Sequence, residues 1–430
     1  NPKPQTPNPK PQTPNPICPD EPTVYKVMSI SERAKKFKKT YMDYFTNNPY
    51  PKTESKEPMI TFTAGDPTCK AYPFNSVKTP EIIKKLEDPT NYFYSKEKED
   101  IARETIARLH SSEGHKFNKE DVFVTLGGEW ALTVGMRLLC KPGDNFVVPS
   151  PGYWHLGLCG PCYDIEARTY GFKGSNWEID FEGLEKQIDS KTRFILVVSP
   201  GNPNCVWYPK EVLQKFCDLA EKHNLVIFSD EIYYGCYFDP NHKHLSAADL
   251  PSNAPVLIMN GPAKFCCTPG FVLEWLVWKD TANKLPNFRR QLEAEVSKLG
   301  TNSAFLHSIL PDIVAHQLTQ LPTRMAHFKN NYEIVKSHFA KIPELELRQT
   351  TSSMFAAIII RPECFPERLH DDIVFAHELY REEGVKIGMG SFNGMKGLLR
   401  MNLVVDAVDY EKGIPRIANF VARHKLQGSS

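Results

Sequence analysis

Apolar residues in the middle of the chain come in short, nearly unbroken runs, each followed by a segment whose apolar positions recur at helical spacing. "DVFVT" leads through Gly127 and Gly128 into the helical pattern "EWALTVGMRLLC", and "NFVVPS" leads into "PGYWHLGL", which also reads as a helix. "RFILVVS" passes through a Pro-Asn loop into "KEVLQKFCDLAEKHN", and the strands "LVIFSD" and "PVLIMNG" follow. Strand-length runs without polar alternation suit strands buried on both faces. Their alternation with amphipathic helices predicts an α/β fold whose mostly parallel sheet is flanked by helices.

The two ends of the chain break this rhythm. The first sixteen residues are two copies of "NPKPQTP" followed by "NP". With no apolar side chains to bury, residues 1–23 read as an extended, polyproline-like tail or linker that also suits docking to a proline-recognising partner. A chain that begins with Asn reads as a fragment or a processed form. Residues 24–75 read as an N-terminal arm on the small domain, with an amphipathic helical segment from Val24 to Pro49. A short strand in "MITFTAGDPT" then ends in a Gly65-Asp66-Pro67 turn. At 430 residues the chain exceeds the roughly 250–300 residues that one core supports. A large domain at 76–310 and a small α+β domain at 311–430 are therefore expected, the latter alternating charged helices with "MFAAIII" and "LLRMNLVV".

Composition narrows the function classes. Lys and Arg number 52 against 51 Asp and Glu, a net charge of +1, with no long basic run. Nucleic acid and anionic membrane are thus poor main partners, and no apolar run reaches the length of a spanning helix. Eleven cysteines, including the adjacent Cys266 and Cys267, do not form a disulfide framework and point to a reducing, cytosolic setting. "CGPC" at Cys159 to Cys162 has thioredoxin-like spacing, but it follows an apparent helix with Gly160-Pro161 as a stop signal, which argues against a redox motif. "NHKH" at Asn241 to His244 lacks further ligands at metal spacing and reads as a solvated loop.

In open parallel sheets, ligands bind beyond the carboxyl ends of the strands. The residues there are Tyr153 after "NFVVPS", Asn202 after "RFILVVS", Asp230 and Tyr233 at the end of "LVIFSD", and Lys264 after "PVLIMNG". Gly127 and Gly128 open a helix after the first strand, which makes an anion cradle of bare N–H groups. Singly, each has an ordinary structural explanation. Together they supply what a pyridoxal phosphate site needs: an amine, a carboxylate for the pyridine nitrogen, an amide and a phenol for the ring oxygen, an aromatic face and a phosphate cradle.

"SPGNPNCVWYPKEVLQ", "LVIFSDEIYYG" and "GPAKFCCTPGFVLEW" resemble the Asn-Pro, Asp-Glu-Ile-Tyr and lysine motifs of the fold-type I pyridoxal phosphate aminotransferases, most like the tyrosine aminotransferase branch. The similarity runs from "TAGDPT" to the C-terminus. The resemblance implies that Lys264 forms the internal aldimine with pyridoxal 5′-phosphate and then moves the substrate's Cα proton. Asp230 would pair with the pyridinium, Tyr233 and Asn202 with the ring oxygen, and Tyr153 would stack on the ring. Arg400 in "GLLRMNLVV" would clamp the substrate α-carboxylate, with Gly65 beside it. A homodimer with sites at its interface is also implied.

The pattern breaks at the phosphate. The family reads Pro-Gly-x-Arg-x-Gly after its lysine, whereas "PGFVLEW" places Val272 and Glu274 at the arginine and second glycine. Leu126 and Gly128 stand where hydroxyls are common, and Glu129 would repel a phosphate dianion unless it turned away. The tyrosine expected to reach across the dimer is represented only by Tyr92 and Tyr94, without the expected downstream glycine. The chain therefore reads as an aminotransferase acting on an aromatic or other large α-amino acid and a 2-oxo acid. The alternatives are a β-lyase, or a cofactor-free binding or scaffold protein on the same fold.

Overall fold

The computed structural model describes residues 49–67, 79–299 and 303–427. The proline tail and nearly all of the expected helical arm lie outside them. A seven-stranded sheet forms the centre: β1 Val122–Thr125, β2 Asn145–Pro149, β3 Glu166–Tyr170, β4 Thr192–Val198, β5 Val226–Asp230, β6 Val256–Asn260 and β7 Glu274–Lys279. Its order is β1-β7-β6-β5-β4-β2-β3, with every pair parallel except those made by β7.

The near-continuous apolar strands are explained by burial on both faces. Val122, Val124, Val147, Ile195, Val197, Ile227, Ile258 and Val277 point to one core. Their neighbours Phe123, Phe146, Phe194, Leu196, Phe228, Leu257 and Leu276 point to the other. Each such side chain stabilises the fold by about 1.5–3 kcal/mol, so neither face tolerates polar alternation. Helix α1 (Lys96–His110) starts at the Ser95 cap, α2 (Gly128–Leu139) follows β1 directly, and α3 (Lys210–His223) ends at Asn224 in the left-handed conformation.

The segment "PGYWHLGL" is not the expected α-helix. It forms a 3-10 turn at Trp154–Gly157 and a second at Gly160–Tyr163, where Pro161 begins the turn instead of stopping a helix. Proline's fixed φ suits a first helical position as well as a terminus, so its presence alone marked no direction. Cys159 and Cys162 are buried and in no disulfide, with burial pushing the Cys159 thiol up to about 12.

A second, four-stranded antiparallel sheet comprises β8 (Leu345–Leu347), β9 (Phe355–Ile360), β10 (Gly388–Met389) and β11 (Leu398–Asn402), in the order β8-β9-β11-β10. Helix α4, Ala304–Phe339, is 36 residues long with Pro311 and Pro322 inside it, and it runs unbroken through position 311. It packs against α1 and against α6 (Ala407–His424). The expected strand near Met59 is Ile60–Thr61, paired in parallel with Val385–Lys386. That pairing and the bond from the Asn402 amide to Phe62 O at 2.9 Å carry residues 63–66 to the edge of the central sheet.

Asp372, in α5 (Asp372–Glu383), holds the turn that leads into β11. Fully buried, its carboxylate accepts from Ser391 N at 2.8 Å, Ser391 Oγ at 2.6 Å and Gly397 N at 3.0 Å. Asp372→Ala strands these donors and is expected to cost about 2–4 kcal/mol in denaturant unfolding, with Asp372→Asn costing less because it keeps an acceptor.

Candidate active site

A cavity of about 530 Å³ opens where β1, β4, β5 and β6 end. Gly65, Gly128, Glu129, Tyr153, Asn202, Asp230, Tyr233, Lys264 and Arg400, predicted from scattered motifs, all line it, and Gly127 lies just behind Gly128. Lys264 sits in the short helix Pro262–Phe265, just after β6. Its Nζ donates to Gly65 O at 2.7 Å. Burial pushes the ammonium down from its usual range, and Arg400 adds to this, while Asp66 and Glu274 pull the other way. A lysine so placed releases its proton more readily than a surface lysine, as an attacking amine must.

Asp230 ends β5 and is 5 % exposed. Burial raises its carboxyl to about 7, opposed by one hydrogen bond from Ile232 N at 3.1 Å. A cationic N–H from a bound ring would stabilise this carboxylate where the chain offers little. Tyr233 is buried, and burial raises its phenol far above the usual range. Arg400 is braced on β11: Nη1 donates to Asn202 Oδ1 and Nη2 to Thr63 O, both at 3.2 Å, with the guanidinium 4.2 Å from the Phe355 ring centre. Tyr153 directs its hydroxyl to Glu129 Oε1 at 3.4 Å.

The opposite end carries what motif reading saw only in part. Gly127, at φ +94°, makes the turn between β1 and α2, a conformation costly for any other residue. Glu274, the first residue of β7, is paired with Thr125, the last of β1. This register sets its side chain against the turn, and a Cβ at Gly127 would lie 3.3 Å from Glu274 Oε2. Glu274 is 7 % exposed, and burial raises its carboxyl to about 7, opposed by Lys264 and by the nearby Gly128 N–H. Glu129, by contrast, turns outward with its side chain 57 % exposed, beside His155.

The two ends of the site fit pyridoxal phosphate unequally. An amine, a buried carboxylate, an amide with a phenol, and an aromatic side chain fit the pyridine ring and its aldehyde. The phosphate does not fit: its cradle is filled by a buried carboxylate, and the cationic or protonatable groups lining the cavity among the described residues are committed elsewhere, Lys264 to Gly65, Arg400 to Asn202 and Thr63, and His155 to Glu129.

Residues 57–417 match the model of the family "Aminotransferase class I and II". The chain belongs to the class I and II aminotransferases. These enzymes are pyridoxal phosphate-dependent transaminases of amino and 2-oxo acids, and by membership the chain is one of them, with an atypical phosphate end. Human tyrosine aminotransferase is 27 % identical over 391 residues, covering 87 % of this chain and 83 % of the relative. An S-alkyl-thiohydroximate lyase of Arabidopsis thaliana is 26 % identical over 317 residues, covering 72 % and 68 % respectively. The crystal structure of tyrosine aminotransferase from Leishmania infantum superposes with a TM-score of 0.82 at 23 % identity, covering 94 % of this chain and 100 % of that one, which confirms the fold-type I aminotransferase architecture.

Two surroundings differ from the sequence reading. The "NHKH" loop is not solvated throughout: His244 bonds through Nε2 to Glu231 at 2.8 Å and through Nδ1 to Tyr237 at 2.7 Å. No metal-binding group of three ligands occurs among the described residues. Glu231 itself, 1 % exposed, had drawn no notice. It also accepts from Ser229 Oγ at 2.9 Å, and although burial raises its carboxyl, His244 and His110 hold it below its usual value. Its only sequence signal was its position next to Asp230.

Glu274 gives a testable pH dependence. Held above its ordinary value of 4.5, it binds its proton more tightly folded than unfolded, so its contribution is greatest when protonated and is lost as pH rises from about 4.5 to about 7. Without cofactor, wild type and Glu274→Gln should unfold with similar stability at the low end of this window. Above it, the variant should be more stable by about 2–3 kcal/mol, measured by urea titration across pH.

Proposed function

We propose that this aminotransferase moves an amino group from an aromatic or other large α-amino acid to a 2-oxo acid, with Lys264 as the amine that carries the cofactor. The observation that carries the reading is the convergence on one cavity of a partly buried lysine, a buried carboxylate at Asp230 and a braced arginine at Arg400. When bound, the pyridine ring supplies an electron sink. The chain's own residues do the rest. Arg400 would orient the substrate through its α-carboxylate, Lys264 would take the proton from the donor's Cα and in the return half deliver one to the carbon that becomes the product's Cα, Asp230 would pair with the ring nitrogen, and Asn202 with Tyr233 would hold the ring oxygen. Leu132, Leu156, Ile232, Met259, Phe355 and Phe392 line the remaining wall and suit a large apolar side chain.

A second reading, β-elimination, is favoured by the lyase among the relatives. It uses the same proton removal at Cα, but the β-substituent would then leave with its bonding electrons, and hydrolysis of the remaining imine by water would give ammonia and a 2-oxo acid without any amino acceptor. A homodimer in a reducing, cytosolic setting belongs to the proposal as well. The exposed row Tyr92, Phe93 and Tyr94 supports self-association, and the lack of disulfides among the described cysteines suits that setting.

The near-ultraviolet and visible absorption of the purified protein with added pyridoxal phosphate, beside Lys264→Ala, tests the reading. A band that requires Lys264 and shifts on adding tyrosine is expected; its absence at saturating cofactor overturns the reading. Lys264→Ala should lower turnover about 10²–10⁴-fold. Arg400→Ala should raise the amino-acid KM about ten- to a hundredfold, and Arg400→Lys should recover little of this because it lacks the planar fork.

A further inference from the structure

A pyridoxal-type ring bears its aldehyde between two unlike neighbours, the ring oxygen on one side and, on the other, the carbon that carries either a hydroxyl or its phosphate ester. With the amine of Lys264 fixing the aldehyde position and Asn202 with Tyr233 on the oxygen side, that carbon would face Gly128 and Glu274. The last of these is built in. The Glu274 side chain lies so close to Gly261 that a Cβ there would fall 2.2 Å from its Cγ, and the register with Thr125 holds the carboxylate against the Gly127 turn. Oε2 is buried and has no hydrogen-bond partner among the described residues, so an acceptor stands ready where a ligand would end.

We propose that Glu274 sets which form of the ring the site holds: its carboxylate fills the cradle at the Gly127–Gly128 turn, so a ring ending in a neutral hydroxymethyl group binds at least as tightly as that ring's phosphate ester. The inference rests on the reading of the cavity as a pyridoxal-type site. A hydroxymethyl group donates one hydrogen bond, which the Glu274 oxygen lacks. A phosphate dianion has no proton to give and would meet the like charge of Glu274 in a partly buried place. Three carboxylates, Glu129, Asp230 and Glu274, already line the cavity against Lys264 and Arg400. Val272, 53 % exposed at the same turn, brings no cation. A helix N-terminus ordinarily welcomes an anion, and here the chain supplies that anion itself.

The test uses pyridoxamine and pyridoxamine phosphate, which lack the aldehyde, so their binding does not depend on a bond to Lys264. Both are titrated calorimetrically into wild type, Glu274→Gln and Glu274→Gly at mildly alkaline pH. Wild type is expected to bind the ester no more tightly than the alcohol, and each variant to shift the ratio toward the ester by about tenfold or more. Either variant suffices if the other fails to fold. A wild type that binds the ester clearly more tightly than the alcohol, or a ratio unchanged in the variants, overturns the proposal. Absence of binding by both rings overturns it too, and the Lys264-dependent band with pyridoxal phosphate then tells whether the wider reading falls with it.

Discussion

Charges brought out of water at the carboxyl ends of buried strands must find partners, and around this cavity the chain supplies them unevenly. At one side Arg400 is fully engaged, with an amide, a backbone carbonyl and an aromatic face around it. At the floor Asp230 has one hydrogen bond, and burial raises it to about 7. At the far side Glu274 is equally raised, with Lys264 as its main opposing charge. A buried acid near neutrality costs the fold stability unless a ligand or a proton relieves it. The site is thus prepared for a ring that brings a positive N–H to its floor.

The architecture makes this arrangement unavoidable. Parallel strands buried on both faces leave their polar ends as the one open edge, and each loop that follows a strand delivers its residues to the same place. Strand β7, the antiparallel member, runs the other way, so its first residue and not its last reaches the cavity edge. That reversal puts Glu274 beside the end of β1.

Much of this was legible in the sequence because it is local. An apolar run followed by Asp230, Asn202 or Lys264 names a strand and its functional end in one reading, and the aminotransferase motifs fix their order. Glu274 was visible as a departure from the family pattern. Its effect, however, depends on a cross-strand register with Thr125 that no local window contains. Glu129 drew suspicion for its charge, but a side-chain rotation decides its exposure. The His244 pairing with Glu231 and the 3-10 turns around Cys159 were missed for like reasons: one is a contact across 13 residues, and the other is a region where helical spacing and turn chemistry look alike.

The long helix α4 touches both α1, beside the large sheet, and α6, beside the small one. At 1.5 Å per residue its 36 residues make a strut of about 54 Å. Pro311 and Pro322 each remove one rung from its hydrogen-bond ladder. A beam weakened at two points bends there first, so the compliance that would let Arg400's sheet shift relative to Lys264's is concentrated in those two turns.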